Sequence, residues 1–489
     1  MDFLGTDCRN AIKLYLPQPP PIFFGARFRS WSYGEPYVLP FHNGRFASFF
    51  HGQLTMDHGL SSASLTFAFL VKPPPMPHTA IWIISFLSIA CVIIRPFKIA
   101  EAIWAVSGAV LLVVLGLITP SDGLAGAGKG TDVYLFLTGM MLLAETAREE
   151  KLFDWLAAYA TKLAKGSSNR LFLLIYLVGV VVTTFLSNDA TAVVLTPAVA
   201  AAVKAAKVDK PLPYLLICAF IANAASFVLP ISNPANLVIY GSHMPALLQW
   251  LPQYILPSVF AIVVTYVTLR FTQRKALKQS IETNIPIPAL SQGGKTAMLG
   301  IAATAVILLV SSALDVQLGL PTAITGVLTS AIVIIRAKKN PWVVIKGVSW
   351  SVLPLVAGLF VIVEALNKTG VIQNIATLLQ QSAEQSVTKT AWGSGVIIAF
   401  ACNLLNNLPA GLIAGNAVQA ANVPVMVKSA VLIGVDLGPN LSVTGSLATI
   451  LWLVALRREG QTVSAWAFLK LGFFVMTAAL LVALAVLWV

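Results

Sequence analysis

From Ile81 to the last residue the chain is a succession of apolar runs of about 20 residues, the length at which an α-helix crosses the hydrocarbon core of a bilayer. The runs do not alternate in polarity, which excludes a membrane β-barrel. Lipid leaves no water to satisfy backbone N–H and C=O groups, so the spans must be helices. Only 10% of the 489 residues are charged and 57% are hydrophobic, against about 25% charged in a soluble domain. The chain is therefore read as an all-α polytopic membrane protein.

The net charge of +13 would suit nucleic acid if it were clustered, but most Lys and Arg sit in short loops between apolar runs. That pattern reports topology, and no nucleic-acid partner is expected. Cys8, Cys91, Cys218 and Cys402 are scattered with no CxxC spacing, so they read as small buried apolar residues. No cofactor and no metal centre are expected. Residues 1–75 differ from the rest. "PQPPPIFFGARFRSWSYGEP" has no spanning run and no signal-peptide pattern. This extension is expected to lie outside the fold, either as a periplasmic or interfacial tail or, the favoured reading, as an upstream translation of non-coding sequence with the true start at Met76.

Spans are expected near 78–94, 100–119, 132–147, 213–240, 249–270, 297–314, 318–336, 350–366, 425–455 and 466–489. The stretches 171–203 and 391–421 are too long for one span, and each carries a polar knot, "SNDAT" and "NNLPA". Two spans are also interrupted, by "PISNPAN" and "GPNLSVTGS". The halves match each other. Gly139 and Gly358, Glu145 and Glu364, and Asn188 and Asn407 are all 219 residues apart, while Asn236 and Thr449 are 213 apart. One unit has been duplicated. The expected organisation is a first transmembrane repeat over 76–270, a cytoplasmic linker loop over 271–296 and a second repeat over 297–489.

Each knot is read as the tip of a re-entrant hairpin, which leaves about five true spans per repeat. An odd number makes the two repeats inverted. With the linker loop in the cytoplasm, 21 Lys and Arg from Arg95 to Arg458 fall on that side, and only Lys129, Lys368, Lys389 and Lys428 fall on the other. The positive-inside rule asks for such a bias.

Inverted repeats with paired broken segments point to a secondary transporter with its site near the midplane. Irregular backbone at membrane depth is tolerated where it lines a cavity, and helix N-termini at a break present free N–H groups. Ser187, Asn188, Thr191, Asn233, Asn236, Asn406, Asn407, Thr444, Ser446 and Thr449 are the candidate substrate ligands. Taken singly, such residues as often only bridge helices; four breaks at matched positions argue for a site. Asp189 and Asp436 are the intramembrane carboxylates and the candidate proton-coupling groups. Glu145 and Glu364 lie near span ends, where a solvated or paired role is at least as good a reading.

"FLSNDATAVVLTP", "NNLPAGLIAG" and "DLGPNLSVTGSLATILWL" resemble the arsenite efflux permease (arsenical pump membrane protein) family of the ion transporter superfamily. The resemblance covers roughly residues 78–489. It implies export of arsenite or antimonite as the neutral trihydroxide, in exchange for protons, across the bacterial inner membrane. It also implies an optional cytoplasmic, arsenite-stimulated ATPase partner. Dicarboxylate relatives commonly carry Ser-Asn-Thr where this chain has Ser187, Asn188 and Asp189, a change that suits a neutral or cationic substrate better than a dianion. The alternative is a sodium-coupled or sodium–proton transporter of the same superfamily. An intramembrane diaspartyl protease is remote, because "IGVDLG" lacks the Gly-x-Gly-Asp element such enzymes need.

Overall fold

The protein is described here by a computed structural model, which covers residues 78–241, 244–282 and 287–489. The proposed extension over 1–75 and start at Met76 lie outside the described residues. The first half contains α1 (His78–Ile94), α2 (Glu101–Val114), α3 (Pro120–Gly128), α4 (Thr131–Glu149), α5 (Leu152–Leu163) and α6 (Ser168–Leu186). It continues with α7 (Asn188–Ala190), α8 (Thr196–Ala205), α9 (Leu212–Ala224), α10 (Pro234–Tyr240) and α11 (Leu247–Gln273). The second half runs through α12 (Gln292–Ala313), α13 (Gly319–Ala337), α14 (Pro341–Gly347), α15 (Val352–Lys368) and α16 (Val371–Gln385). It ends with α17 (Val387–Leu405), α18 (Asn407–Ala420), α19 (Val425–Leu437), α20 (Leu447–Arg458) and α21 (Ala465–Val486).

The duplication read from the sequence recurs in the elements. α6 and α17 begin and end 219 residues apart, and α9 and α19 begin and end 213 apart. The contacts between copies are reciprocal. α4 packs along α13, while α15, the counterpart of α4, packs along α2, the counterpart of α13. Such mutual exchange is what a two-fold axis produces. Two glycines make it close. A Cβ on Gly139 would strike the backbone of Thr322 and Ala323, and one on Gly358 would strike the backbone of Ala105 and Val106. Small residues at helix crossings let backbones approach in a membrane, where packing rather than the hydrophobic effect joins helices.

Among the described residues, six helical stretches are long and apolar enough to span a bilayer, and large apolar side chains such as Phe86, Leu299 and Ile335 stand exposed on the surface. In water such surface would be costly; in lipid it is the required solvent contact. The deep core is aromatic in part. Trp452 is fully buried and its indole N–H donates to the Leu215 carbonyl at 2.8 Å, which satisfies the one polar atom the ring would otherwise bury unpaired.

Both knots fold as hairpin tips. α6 ends at Ser187 (φ 122°) and α17 ends at Asn406 (φ 70°), the position 219 residues on. Positive φ at a non-glycine residue costs about 1–3 kcal/mol and persists only where the surroundings impose it. Both other breaks fold as interrupted spans, α9 to α10 and α19 to α20. After the first tip the chain does not form a plain α-helix. A π-helical turn over Thr191–Leu195 separates α7 from α8, a local widening of the kind often found at functional sites.

Candidate functional site

Four helices start at the four breaks, and a candidate ligand residue caps each one. Ser187 accepts from the Ala190 N–H at 3.4 Å and Asn406 from the Leu408 N–H at 3.4 Å. Asn233 accepts from the Ala235 N–H at 3.0 Å and Ser446 from the Thr449 N–H at 3.1 Å. Ser and Asn at these positions are thus accounted for by N-cap chemistry, since their oxygens satisfy donors that a helix start leaves free.

The remaining candidates fall into distinct groups. In the first hairpin, Thr191 is fully buried and shares a hydrogen bond with Thr183 at 2.8 Å. Asn188 is buried beside it with its Oδ1 unpartnered among the described residues. Ser232 fastens the first break to this hairpin by donating to the Thr184 carbonyl at 2.9 Å. The second hairpin is held the same way. The Asn407 N–H donates to the Gly445 carbonyl at 2.8 Å, and Thr444 Oγ1 donates to the Asn403 carbonyl at 3.1 Å.

The two copies then cross. Asn233 Nδ2 donates to Asp436 Oδ1 at 2.5 Å. Ser446 Oγ donates to Asn223 Oδ1 at 3.4 Å. Asn233 and Ser446 are 213 residues apart, and so are Asn223 and Asp436. These are the same contact made twice, each copy's uninterrupted half-helix reaching the cap of the other copy's broken one. Asn223 Nδ2 also donates to Asn440 Oδ1 at 3.0 Å and to Thr449 Oγ1 at 3.4 Å. Asn236 Nδ2 donates to the Ser226 carbonyl at 2.9 Å, within its own break. Asn236 Oδ1 and Asp436 Oδ2 are buried without a hydrogen-bond partner among the described residues. Asn223 and Asn440 were not singled out from the sequence. The signal that finds Asn223 is the 213-residue offset applied to Asp436.

A cavity of about 60 Å³ lies against the first hairpin. Ser187, Asp189 and Ala190 of the tip line it, together with Pro234 at the start of α10 and Leu451 of α20. Met140 and Met141 of α4, with Glu145, Gly347 and Ser349, also line it. Of the candidate residues, the cavity takes Ser187 and Asp189; the others sit in the buried networks described above. Among its described lining residues the only ionisable groups are Asp189 and Glu145. Glu145 is paired with Arg148 through two hydrogen bonds of 2.8 and 2.6 Å. Asp189 has no hydrogen bond or ion pair among the described residues and is partly exposed to the cavity. An unpaired carboxylate facing a cavity in the middle of an apolar helix pair is costly and marks function by default.

A family model for citrate transporters, CitMHS, matches residues 89–434. The chain belongs to this transporter family. It is 27% identical over 419 residues to the arsenical pump membrane protein of Escherichia coli K12, an alignment covering 82% of this chain and 96% of that one. It is 26% identical over 350 residues to the arsenical pump membrane protein of Yersinia enterocolitica, covering 69% and 82%. An uncharacterized transporter of Mycobacterium tuberculosis is 24% identical over 415 residues, covering 82% and 96%. The fold is similar to that of the YdaH transporter of Alcanivorax borkumensis, with a TM-score of 0.53 at 13% identity, over 84% of this chain and 98% of that one. The protein is a membrane transporter and not an enzyme, and it is a multi-pass protein of the bacterial inner membrane.

Proposed function

We propose that this transporter exports arsenite or antimonite as the neutral trihydroxide in exchange for protons, with Asp189 as the coupling group and Asp436 sharing the task. The observation that carries the reading is the cavity with Asp189 as its one unpaired ionisable group. A tricarboxylate such as citrate needs cationic partners, and the described lining of this cavity offers carboxylates instead. A small triol needs only donors and acceptors. Ser187 and the N–H groups at the hairpin tip supply them. The volume agrees with a small cargo. About 10–15 Å³ on this measure admits one water, so about 60 Å³ takes a solute of four heavy atoms. The names of the Escherichia coli and Yersinia relatives point to the same class of cargo.

Uphill export of a neutral solute needs an external drive. A tenfold gradient costs about 1.4 kcal/mol, and one proton crossing about 100 mV releases about 2.3 kcal/mol. One proton per arsenite therefore supports a gradient of about 50-fold. Asp189 has the properties this asks of a carrier: it titrates, it faces the cavity, and no partner fixes its charge.

Sodium coupling has one observation in its favour. Asn188 Oδ1, Asn236 Oδ1 and Asp436 Oδ2 are buried oxygens without partners, and a hard cation takes oxygen ligands. Everted membrane vesicles separate the readings. The proposed function predicts accumulation of arsenite and antimonite on an imposed proton gradient, unchanged by sodium. Accumulation of citrate, or arsenite uptake that follows sodium and not the proton gradient, would contradict it.

A further inference from the structure

The cavity lies against the first hairpin, and two of its counterpart positions, Lys129 and Glu364, form an ion pair. Glu145, Val348, Ser187, Asp189 and Met141 line the cavity. Adding 219 gives Glu364, Asn406, Leu408 and Phe360 for four of them, and subtracting 219 from Val348 gives Lys129. Glu145 and Val348 both line the cavity, with Glu145 lying against Gly347, whereas Glu364 meets Lys129 in an ion pair of 2.6 Å. A second pair, Lys368 to Asp122 at 2.9 Å, ties the end of α15 to α3 nearby. Phe360 packs edge-on against Tyr134 with centroids 6.1 Å apart, and the Tyr134 hydroxyl donates to the Ala127 carbonyl at 2.8 Å. The backbone at Gly126 lies against the Glu364 side chain.

We infer that the second access path is the two-fold counterpart of the cavity, running past Glu364, Asn406 and Leu408, and that the Lys129–Glu364 pair latches its mouth. This deepens the transport reading and rests on it and on the inverted repeat. Two copies of one unit can exchange conformations, so the shape the first copy holds here is available to the second. The exchange moves access from one face to the other. The two copies differ at this pair: Val348 has no charge to offer Glu145, whereas Lys129 reaches Glu364. They differ also in the titrating group, since the counterpart of Asp189 is Leu408. Lys129 is half exposed, so the latch is strong enough to bias the two states and weak enough to open in each cycle.

The test is accessibility, read without any substrate. Leu408→Cys is placed in a chain whose four native cysteines are replaced, and right-side-out vesicles are treated with a membrane-impermeant maleimide. Lys129→Ala and Glu364→Gln should each raise labelling of position 408 about threefold to fivefold, the population shift that loss of an exposed ion pair produces. The exchange K129E together with E364K should return labelling to the starting rate, which a merely structural disturbance would not do. Unchanged labelling in both single variants would overturn the inference, and so would charge-exchanged protein that labels as fast as the single variants. Latch-dependent labelling in a protein that fails to move arsenite would sink the substrate reading and leave the latch standing.

Discussion

Asp436 and Asp189 look alike in the sequence, an acid in an apolar helix beside a break, yet they are held very differently. Asp436 is fully buried and accepts the Asn233 amide, whereas Asp189 bonds nothing among the described residues and faces the cavity. Asp436→Ala strands a buried amide, a loss of about 1–3 kcal/mol. It should lower the unfolding temperature of the detergent-solubilised protein, while Asp189→Ala leaves it near wild type; equal effects from the two variants would contradict the assignment. The polar residues at the breaks were legible because they interrupt apolar runs at matched offsets. Their local task was less so. Ser187, Asn233, Asn406 and Ser446 read as ligands, and the structure uses all four as helix caps. Asn223 escaped notice because "FIANAASF" is an ordinary apolar helix end, where one Asn usually bridges to a neighbour. Its meaning appears only when its counterpart is recognised as Asp436.

At the scale of elements, the long spans follow from the length of the apolar runs, and their ends fall within a few residues of the structural ones. The short amphipathic helices do not announce themselves this way. α16 buries Ile372, Ala376 and Ala383 and leaves Gln and Glu outside, so by composition it resembles a loop. The π-helical turn after Asp189 was equally invisible, because widening by one residue leaves no mark on apolar spacing. Gly139 and Gly358 were legible only as a repeat match, and the structure places both at close helix crossings. Gly139→Leu should force α4 away from α13, an overpacking loss of about 1–3 kcal/mol. Thermal unfolding and membrane yield check it: both should fall clearly, and a fully stable variant would show that the crossing tolerates a side chain.

For the whole molecule, the duplication carries the argument from spans to mechanism. The inverted arrangement expects Lys275 and Lys338 in the cytoplasm and Lys368 outside. Lys129 and Lys368 both pair between α3 and α15, Lys129 with Glu364 and Lys368 with Asp122. Cysteine substitutions at positions 275, 338 and 368, treated in intact cells with an impermeant thiol reagent, should label only position 368. Labelling at 275 or 338 alone would reverse the orientation. The central claim is that a proton carried by Asp189 drives the cargo out. Asp189→Asn keeps the shape of the side chain and removes its titration. In everted vesicles at matched protein abundance, it should abolish arsenite accumulation driven by a proton gradient while downhill arsenite exchange continues in part. Accumulation by Asp189→Asn at near wild-type rate would contradict the account.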